Sequence, residues 1–458
     1  MKKTKSARAV ALEVLQRVEK GGAYANLLLP RTLAKSGLDA RERALATELV
    51  YGTVRSLGTL DWALSERSNI PLDKLDPPIR ALLRLGAYQL LFTRIPPAAA
   101  CYTAVELAKE VGHAGSARFV NAVLRRLARE KDRLAYPDLE QDPVRHIALK
   151  YAHPEWLVAR WLERLGAEET IALCRANNEV PPLSLRANTI RVSRSELAGY
   201  FSERGFAVGH HLYAPEAIYL KNAGEVQNLP GFAEGLFTVQ DESSMLAAHA
   251  LAPRAGEKVL DACAGPGGKT THLAALMDNQ GEVVALDVHP HKLELVKEAA
   301  GRLGLTIIQT LLADARNLPP ELHGRFHRVL VDAPCSGTGV LRRRPDLRWH
   351  KSPEEIAALP PLQLSILQGA AAAVIPGGVL LYSTCSLEPE ENEGVVQAFL
   401  DRNGDFVLED LRPYLGRYLA EESLARGYLK LYPHKHKVDG FFLARLRRHG
   451  GERAHGED

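Results

Sequence analysis

The spacing of apolar residues changes twice along this chain of 458 residues. Up to about residue 140, apolar positions recur every three to four residues, as in ARAVALEVLQRVEK, which predicts amphipathic helices. The same period continues in DARERALATELVYGTVRS behind Asp39, an expected N-cap. The segment PPIRALLRLGAYQLLFT is apolar on most sides, as a buried central helix would be. Residues 1–140 are therefore expected to form an all-α domain.

The second region, residues 141–235, combines both periodicities. It begins after a proline-punctuated stretch at residues 136–143, with helical patterns in VRHIALKYAHPEWLVARWLERLG and AEETIALCRANNE. Four segments then alternate as strands do, namely PLSLRANT, FAVGHHL, AIYL and LFTVQD, with a helical SRSELAGYFSERG between the first two. This region is predicted to be a small α+β subdomain.

The third region, residues 236–448, alternates strands and helices regularly. The predicted strands are KVLDA, VVALD, IIQTLLADA, RVLVDAPCSG and VLLYSTCSL, with a long helix ending near Ile375 before the last one. Strands separated by helical lengths predict a doubly wound parallel sheet with right-handed crossovers, for which 3-2-1-4-5 is the usual strand order. This is a Rossmann-like α/β core. Residues 449–458 are expected to be a disordered tail.

Composition narrows the class of protein. Hydrophobic residues make up 46% of the chain and charged residues 25%, as in ordinary globular proteins. We find no apolar run near the roughly 18 residues of a membrane span and no secretory signal at the N-terminus. Five scattered cysteines form no C-x-x-C pair, which favours reduced thiols and disfavours a structural metal site. We therefore expect a monomeric cytoplasmic protein that contacts neither a membrane nor a metal.

Charge is unevenly distributed along the chain. The formal net charge is +3, but residues 1–140 contain 23 basic and 15 acidic residues. This excess indicates either a polyanionic partner such as RNA or DNA, or a solubilising surface.

The stretch KVLDACAGPGGKTT at residues 258–271 predicts a strand, a glycine turn and the start of a helix. Backbone N–H groups at such a turn can approach a ligand closely because glycine has no side chain. Asp287 ends the next strand, where an acid commonly binds ribose hydroxyls, and Asp314 ends the third strand, beside an adenine in this topology. The clustered GPGG lacks the G-x-G-x-x-G spacing of dinucleotide sites, which favours S-adenosylmethionine.

Two cysteines follow neighbouring strands, in DAPCSGTG at residues 332–339 and in STCS at residues 383–386. With the expected strand order, Cys335 and Cys385 converge at the edge that carries the cofactor turn. A thiolate that adds to carbon 6 of a pyrimidine makes carbon 5 nucleophilic, and a second thiol can serve the release step. An acid such as Asp332 can stabilise the charge that develops at ring N3. The residues alone leave open which cysteine attacks.

The core motifs resemble those of the NOL/NOP/Sun family of RNA 5-cytosine methyltransferases. The resemblance rests on FTVQDESSMLAA, DACAGPGGKT, LDVHPHKL, VDAPCSGTGVLRRRPDLRW, YSTCSLEPEENE and DGFFLARL. Residues 1–140 resemble the helical RNA-binding domain of NusB, through RERALATELVYGTVR, LRLGAYQLLF and ARFVNAVLRRL. Residues 141–235 resemble the RNA-recognition-like subdomain of one RNA methyltransferase family. The resemblance extends over nearly all of residues 5–447.

The family resemblance implies specific roles. Cys385 would be the nucleophile, Cys335 would assist product release, and the substrate would be a cytosine of 16S rRNA. The cofactor S-adenosylmethionine would be contacted by Cys263, Ala264, Gly265, Pro266, Gly267, Gly268, Lys269, Asp287, Asp314 and Asp332. Gly265 stands where the family usually has alanine.

Basic clusters outside the core are candidate RNA contacts. They are Arg125, Arg126 and Arg129 in the helical domain, and Arg342–Arg344 with Arg348, Trp349 and Lys351 after the first cysteine motif. Two other functions remain as alternatives: a Rossmann NAD(P)-dependent oxidoreductase and a non-catalytic RNA-binding protein.

Overall fold

The computed structural model describes residues 5–21, 24–209, 211–221 and 223–450. The chain forms two compact units, with residues 1–179 and 341–351 in unit 1 and residues 180–340 and 352–458 in unit 2. Most of the predicted tail, residues 451–458, lies outside the described residues. Within those ranges, no helix is long and apolar enough to cross a membrane.

Unit 1 is helical, as its apolar period predicts. Asp39 caps the third helix by accepting a hydrogen bond from the Glu42 N–H at 2.8 Å. The helix predicted to be central is buried along most of its length, and the helices share one apolar core. At Gly166 the backbone breaks (φ 76°), between the two helical patterns separated in the sequence. The helices are α1 Ala7–Gly21, α2 Ala25–Ala34, α3 Ala40–Arg55, α4 Leu57–Ser65, α5 Pro77–Phe92, α6 Pro97–Val111, α7 Ala114–Glu130, α8 Pro143–Tyr151 and α9 Glu155–Asn178.

Unit 2 begins with a small antiparallel sheet in the order β2-β3-β1-β4. Its strands are β1 Leu183–Ala187, β2 Ala207–Gly209, β3 Ala217–Lys221 and β4 Phe237–Val239, and helix α10, Arg194–Ser202, lies between the first two. The α+β fold of this subdomain is therefore confirmed, while residues 141–179 of the predicted range belong to unit 1.

The large sheet of unit 2 has the order β10-β12-β9-β8-β5-β6-β7, with β11 paired to β12. Strands β5 to β9 are parallel to their neighbours. Their order in the sheet is β7-β6-β5-β8-β9, which is the expected 3-2-1-4-5 arrangement. Apolar clusters cover both faces of the sheet, as parallel strands require. The strands are β5 Lys258–Asp261, β6 Glu282–Asp287, β7 Ile308–Leu312, β8 Phe326–Asp332, β9 Val374–Thr384, β10 Phe406–Leu408, β11 Tyr428–Leu431 and β12 Phe441–Arg448.

The remaining helices connect these strands or follow them. They are α11 Glu242–Leu251, α12 Gly268–Leu276, α13 Pro290–Leu303, α14 Leu347–His350, α15 Pro353–Ala357, α16 Leu359–Ala371, α17 Glu393–Leu400, α18 Arg412–Leu415 and α19 Pro433–His436. The helix expected to end near Ile375 is shorter, because Val374 already pairs with Phe326 of the neighbouring strand.

The segment Leu341–Lys351, which contains α14, belongs to unit 1 although it directly follows the DAPCSGTG motif. Arg348 is only 1% exposed and donates to the carbonyls of Ala152 and Asn177 at 2.9 and 3.1 Å, and to Asn178 Oδ1 at 2.8 Å. Arg342 is 6% exposed. Both side chains are buried, and the charge of Arg348 is held inside the helical unit, so these two arginines do not form the predicted basic RNA path.

Candidate active site

A tight turn joins β5 to α12 and carries the predicted glycine cluster. Gly267 has a left-handed backbone (φ 103°), which glycine adopts without strain. The Gly265 N–H donates to Asp287 Oδ2 at 3.1 Å. A Cβ on Gly265 would lie 2.8 Å from that oxygen and 2.4 Å from Lys292 Cβ, so even alanine would force its neighbours to move. The departure from the family's usual alanine therefore matches the packing of this chain.

A cavity of about 220 Å³ lies beside this turn. Most of the residues predicted to contact the cofactor line it, and the lining is contributed by the end of β4, the glycine turn and the ends of β5 and β8. The lining residues are Val239, Gln240, Asp241, Ser244, Asp261, Cys263, Ala264, Gly265, Pro266, Gly268, Lys269 and Asp332. Gln240, Asp241, Ser244 and Asp261 were not identified from the sequence, although Asp261 directly precedes the predicted turn.

Two predicted cofactor acids lie outside this lining. Asp287, at the end of β6, is buried and accepts from the N–H groups of Gly265 and His289. Asp314 follows β7 and forms an ion pair with Arg316 at 2.6 Å. Their carboxylates therefore have protein partners, and their predicted contacts with a ribose and an adenine remain predictions.

The cavity wall is acidic. Burial raises the pKa of Asp261 to about 7 and the charge of Asp332 adds to this, while Thr270 donates to Asp261 Oδ2 at 2.7 Å and opposes the shift. Burial also raises the pKa of Cys263, so its thiol is neutral. A cation inside the cavity would stabilise these carboxylates in their charged form. The residues therefore fit S-adenosylmethionine, whose sulfonium and ammonium groups are cationic.

The two predicted thiols lie together, just beyond the carboxyl ends of the adjacent strands β8 and β9. Asp332 ends β8, and its Cα is paired with that of Ser383 on β9. The sulfur atoms of Cys335 and Cys385 are 3.3 Å apart. Asp332 accepts from Ser383 Oγ at 2.8 Å through Oδ1 and from Lys269 Nζ at 2.7 Å through Oδ2. The structure thus brings the predicted catalytic residues next to the cavity that Asp332 and Lys269 line.

A buried glutamate connects the two cysteine loops. Glu391 accepts hydrogen bonds from the Ser336 N–H at 2.8 Å, from the Ser336 hydroxyl, from Ser386 Oγ at 2.6 Å and from Gln363 Nε2 at 2.9 Å. Each cysteine is therefore followed by a serine that is bonded to the same carboxylate. The sequence shows Glu391 only as one of several acids in SLEPEENE, and nothing there identifies it as buried.

The Cys335 thiol is held in its protonated form. The hydrogen bond with Cys385 and then burial raise its pKa well above the ordinary value of a thiol. A protonated sulfur cannot attack a pyrimidine, so this environment suits Cys335 to donating a hydrogen bond or a proton.

The basic cluster predicted on α7 is at the surface. Arg125, Arg126 and Arg129 are exposed, while the opposite face of α7 packs into the core of unit 1. Arg126 pairs with Glu130 at 3.2 Å, which reduces the charge it offers to a partner. Surface exposure is compatible with RNA contact, which remains a prediction.

Comparisons with known proteins place each region in a described family. Residues 5–129 match the NusB family, residues 153–227 match the Methyltr_RsmF/B-like, ferredoxin-like domain, and residues 248–447 match 16S rRNA methyltransferase RsmB/F. These matches agree with the resemblances found in the sequence.

Relatives of known name cover the full chain. The probable ribosomal RNA small subunit methyltransferase B of Bacillus subtilis is 43% identical, over 98% of this chain and 100% of that protein. The ribosomal RNA small subunit methyltransferase B of Klebsiella pneumoniae is 36% identical, over 97% of this chain and 99% of its own length.

Two solved structures have the same fold. The structure of PH0851 superposes with a TM-score of 0.82 at 28% identity, covering 98% of this chain and all of that one. NSun6 from Pyrococcus horikoshii with SFG superposes with a TM-score of 0.58 at 25% identity, covering 65% of this chain and 99% of its own. On the strength of the full-length identities, the chain belongs to the ribosomal RNA small subunit methyltransferase B family.

Proposed function

We propose that this protein transfers a methyl group from S-adenosylmethionine to carbon 5 of a cytosine in 16S rRNA. Membership of an rRNA methyltransferase family supports RNA methylation with this cofactor. The choice of carbon 5 rests on one observation, the contact of two thiols 3.3 Å apart beside the acidic cavity. Methylation of an exocyclic amine or a ribose hydroxyl needs no thiol, whereas carbon 5 of a pyrimidine requires covalent activation.

Cys385 is the proposed nucleophile. Its sulfur forms a bond to carbon 6 of the cytosine, and the electron pair of the 5,6 double bond moves toward carbon 5. Bound S-adenosylmethionine supplies the electrophilic methyl group. The carbon 5 proton then leaves to a base, its bonding pair restores the double bond, and the carbon–sulfur bond breaks with both electrons on Cys385. We assign the attack to Cys385 because the family resemblance implies that role, and Cys335 is placed to assist because its sulfur lies 3.3 Å from that of Cys385.

Two neighbouring groups support these steps. The Cys335 thiol can donate to the departing sulfur of Cys385, which lowers the barrier to release. Asp332 is oriented by Lys269 and Ser383, and its carboxyl group is proposed to bind the N3 edge of the base.

The proposed substrate is RNA because of the family and of the exposed arginines on α7. The relatives are named as ribosomal RNA methyltransferases, and the NusB match covers the helix that carries Arg125 and Arg129. We further propose that the protein acts as a cytoplasmic monomer.

Two cysteine variants test the proposal, with Cys101→Ala as a matched control because that cysteine is buried in unit 1. Purified variants are incubated with S-adenosylmethionine carrying a labelled methyl group and with 16S rRNA, and the RNA is digested to nucleosides. Wild type and the control should form labelled 5-methylcytosine. Cys335→Ala should accumulate a protein–RNA adduct that survives a denaturing gel.

Cys385→Ala should form neither adduct nor product while it binds S-adenosylhomocysteine with wild-type affinity. Methylation by Cys385→Ala would disprove the nucleophile assignment. Label in any nucleoside other than 5-methylcytosine would disprove the proposed reaction.

A further inference from the structure

Arg186 is a buried arginine that the proposed reaction does not use. It lies on β1 of the small sheet and is 2% exposed. Its neighbours Leu185 and Ala187 face the apolar core of the small subdomain. Because side chains alternate along a strand, Arg186 points to the opposite face.

The guanidinium of Arg186 binds both ends of the segment that contains Lys269. It donates to the Gly268 carbonyl at 2.6 Å, to Thr271 Oγ1 at 2.9 Å and to the side-chain oxygen of Gln240. Gly268 and Gln240 line the acidic cavity. The planar guanidinium of Arg186 therefore restrains the glycine turn, the first turn of α12 and Gln240 of the cavity wall.

A buried guanidinium is costly, so its presence needs a compensating interaction. Glu216 supplies an opposite charge nearby. His249 Nε2 is hydrogen-bonded to its Oε1 at 3.0 Å, and His272 Nε2 lies 2.6 Å from the same oxygen. The Glu216, His249 and His272 trio could hold a metal ion by its donor atoms. However, the charge of Arg186 already offsets that of Glu216 and would repel a divalent cation. The trio therefore fits an anchor for Arg186 better than a metal site.

We infer that Arg186 is a positioning residue that holds the glycine turn and Lys269 in the conformation that binds the cofactor. The inference rests on the proposed function only in that the cavity binds S-adenosylmethionine. Arg186 touches neither substrate nor cofactor atoms in this assignment. It acts through Gly268, whose carbonyl it holds, and through Thr271, which it binds one turn into α12.

Calorimetric titration with S-adenosylhomocysteine, without RNA, tests the inference. Arg186→Met should raise the dissociation constant at least tenfold, because the turn is no longer held. Arg186→Lys should fall between wild type and Arg186→Met, since an ammonium keeps the charge but cannot form the fork. Thr271→Val should raise the constant by a smaller factor, and the double variant should show less than the product of the two effects.

Arg328→Met is the matched control. Arg328 is buried in the same unit, with hydrogen bonds to Glu257 and to the Leu251 carbonyl, and it does not contact the turn. Its loss should lower the unfolding temperature without changing the affinity for S-adenosylhomocysteine. In turnover assays, Arg186→Met should raise KM for S-adenosylmethionine by a larger factor than it lowers kcat at saturation, where some loss is expected because Lys269 also orients Asp332. KM for RNA should stay within threefold of wild type.

A change of threefold or less in the dissociation constant for Arg186→Met overturns the inference. An equal change in Arg328→Met at a matched loss of stability also overturns it, because the effect would then be general. Should Arg186→Met fail to fold, Arg186→Lys and Thr271→Val replace it. A change of threefold or less in the dissociation constant for both variants then overturns the inference. The titration contains no RNA, so it is independent of which atom the enzyme methylates.

Discussion

Residues 332–340 and 341–351 are consecutive in the chain and both are rich in polar groups, yet their polar groups have different roles. In the first segment, Cys335 contacts Cys385 directly, while Ser336 and Ser386 both donate hydrogen bonds to the carboxylate of Glu391. In the second, the guanidinium of Arg348 satisfies carbonyl groups inside the helical unit. A polar side chain can therefore belong to a catalytic site or stabilise the fold, and the groups that it contacts show which role it has.

Among the changes that compare these two segments and leave both cysteines in place, Glu391→Gln should have the largest effect. The amide would turn an NH₂ group toward donors that now find an acceptor, leaving buried groups unpaired at a cost of about 2–4 kcal/mol. We expect turnover to fall about 100-fold, because a displacement of about 1 Å at the thiols is enough for that loss. Methyl transfer to RNA measures turnover.

The control for this variant is Glu393→Gln, which loses only a partly exposed ion pair with Lys430. It should retain turnover within about twofold, since such pairs contribute little. Wild-type turnover by Glu391→Gln would show that the two cysteine loops keep their geometry without the shared carboxylate.

The role of residues 332–340 could be predicted because the motif that indicates it is contiguous in the sequence. The motifs around Cys335 and Cys385 each follow an apolar strand, and parallel topology brings the ends of adjacent strands together. The helical unit and the strands of both sheets follow from apolar periodicity, whereas the order 3-2-1-4-5 is expected only as the usual order of a doubly wound sheet. Glu391 escaped prediction because its burial depends on two loops that are 50 residues apart in sequence.

The second segment could not be predicted from composition. Four arginines, a tryptophan and a lysine within ten residues are typical of a nucleic-acid surface. The carbonyls that bind Arg348 come from Ala152 and Asn177, which precede it by 196 and 171 residues. No periodicity in residues 341–351 reveals such partners. An arginine has five N–H donors, so it can bind either RNA phosphates or buried carbonyl groups.

Arg348→Met should have the next largest effect and directly tests this assignment. Loss of the guanidinium leaves buried acceptors unpaired, so the helical unit should lose about 3 kcal/mol of stability. Hydrogen–deuterium exchange should show the loss in α8 and α9, while affinity for S-adenosylhomocysteine stays unchanged.

Arg129→Met, at the surface of α7, should show the opposite pattern. Its stability should change by less than about 0.5 kcal/mol, and its affinity for RNA should fall, with a smaller salt dependence. If Arg348→Met weakened RNA binding without loosening α8 and α9, the segment would be an RNA contact after all.

Acidification should affect the environment of Arg348 through His153. Burial and then the charge of Arg348 hold the pKa of His153 well below 6.5. The folded state therefore keeps a neutral imidazole, and the unfolded state alone takes up a proton as pH falls below about 6.5. Stability is lost in that direction, by up to about 2 kcal/mol at pH 5 from this one residue.

Urea midpoints at pH 7 and pH 5 measure this contribution. The decrease between the two pH values should be smaller in His153→Gln than in wild type, because glutamine has no proton to gain. An identical decrease in both proteins would mean that His153 is protonated in the folded state or is not buried beside Arg348.

Trp349→Phe should have the smallest effect on stability, because the indole is held by both a hydrogen bond and apolar packing, and only the hydrogen bond is lost. The Nε1–H donates to the Val54 carbonyl at 2.7 Å, and the ring is packed so closely that a Cβ on Gly58 would lie 2.8 Å from it. Phenylalanine keeps most of the apolar contact and loses the hydrogen bond, so we expect a loss of about 1 kcal/mol. Exchange should rise in α3 and α4 only. A loss of RNA affinity with unchanged exchange would instead identify Trp349 as a stacking platform for a base, and the second segment would then combine support with recognition.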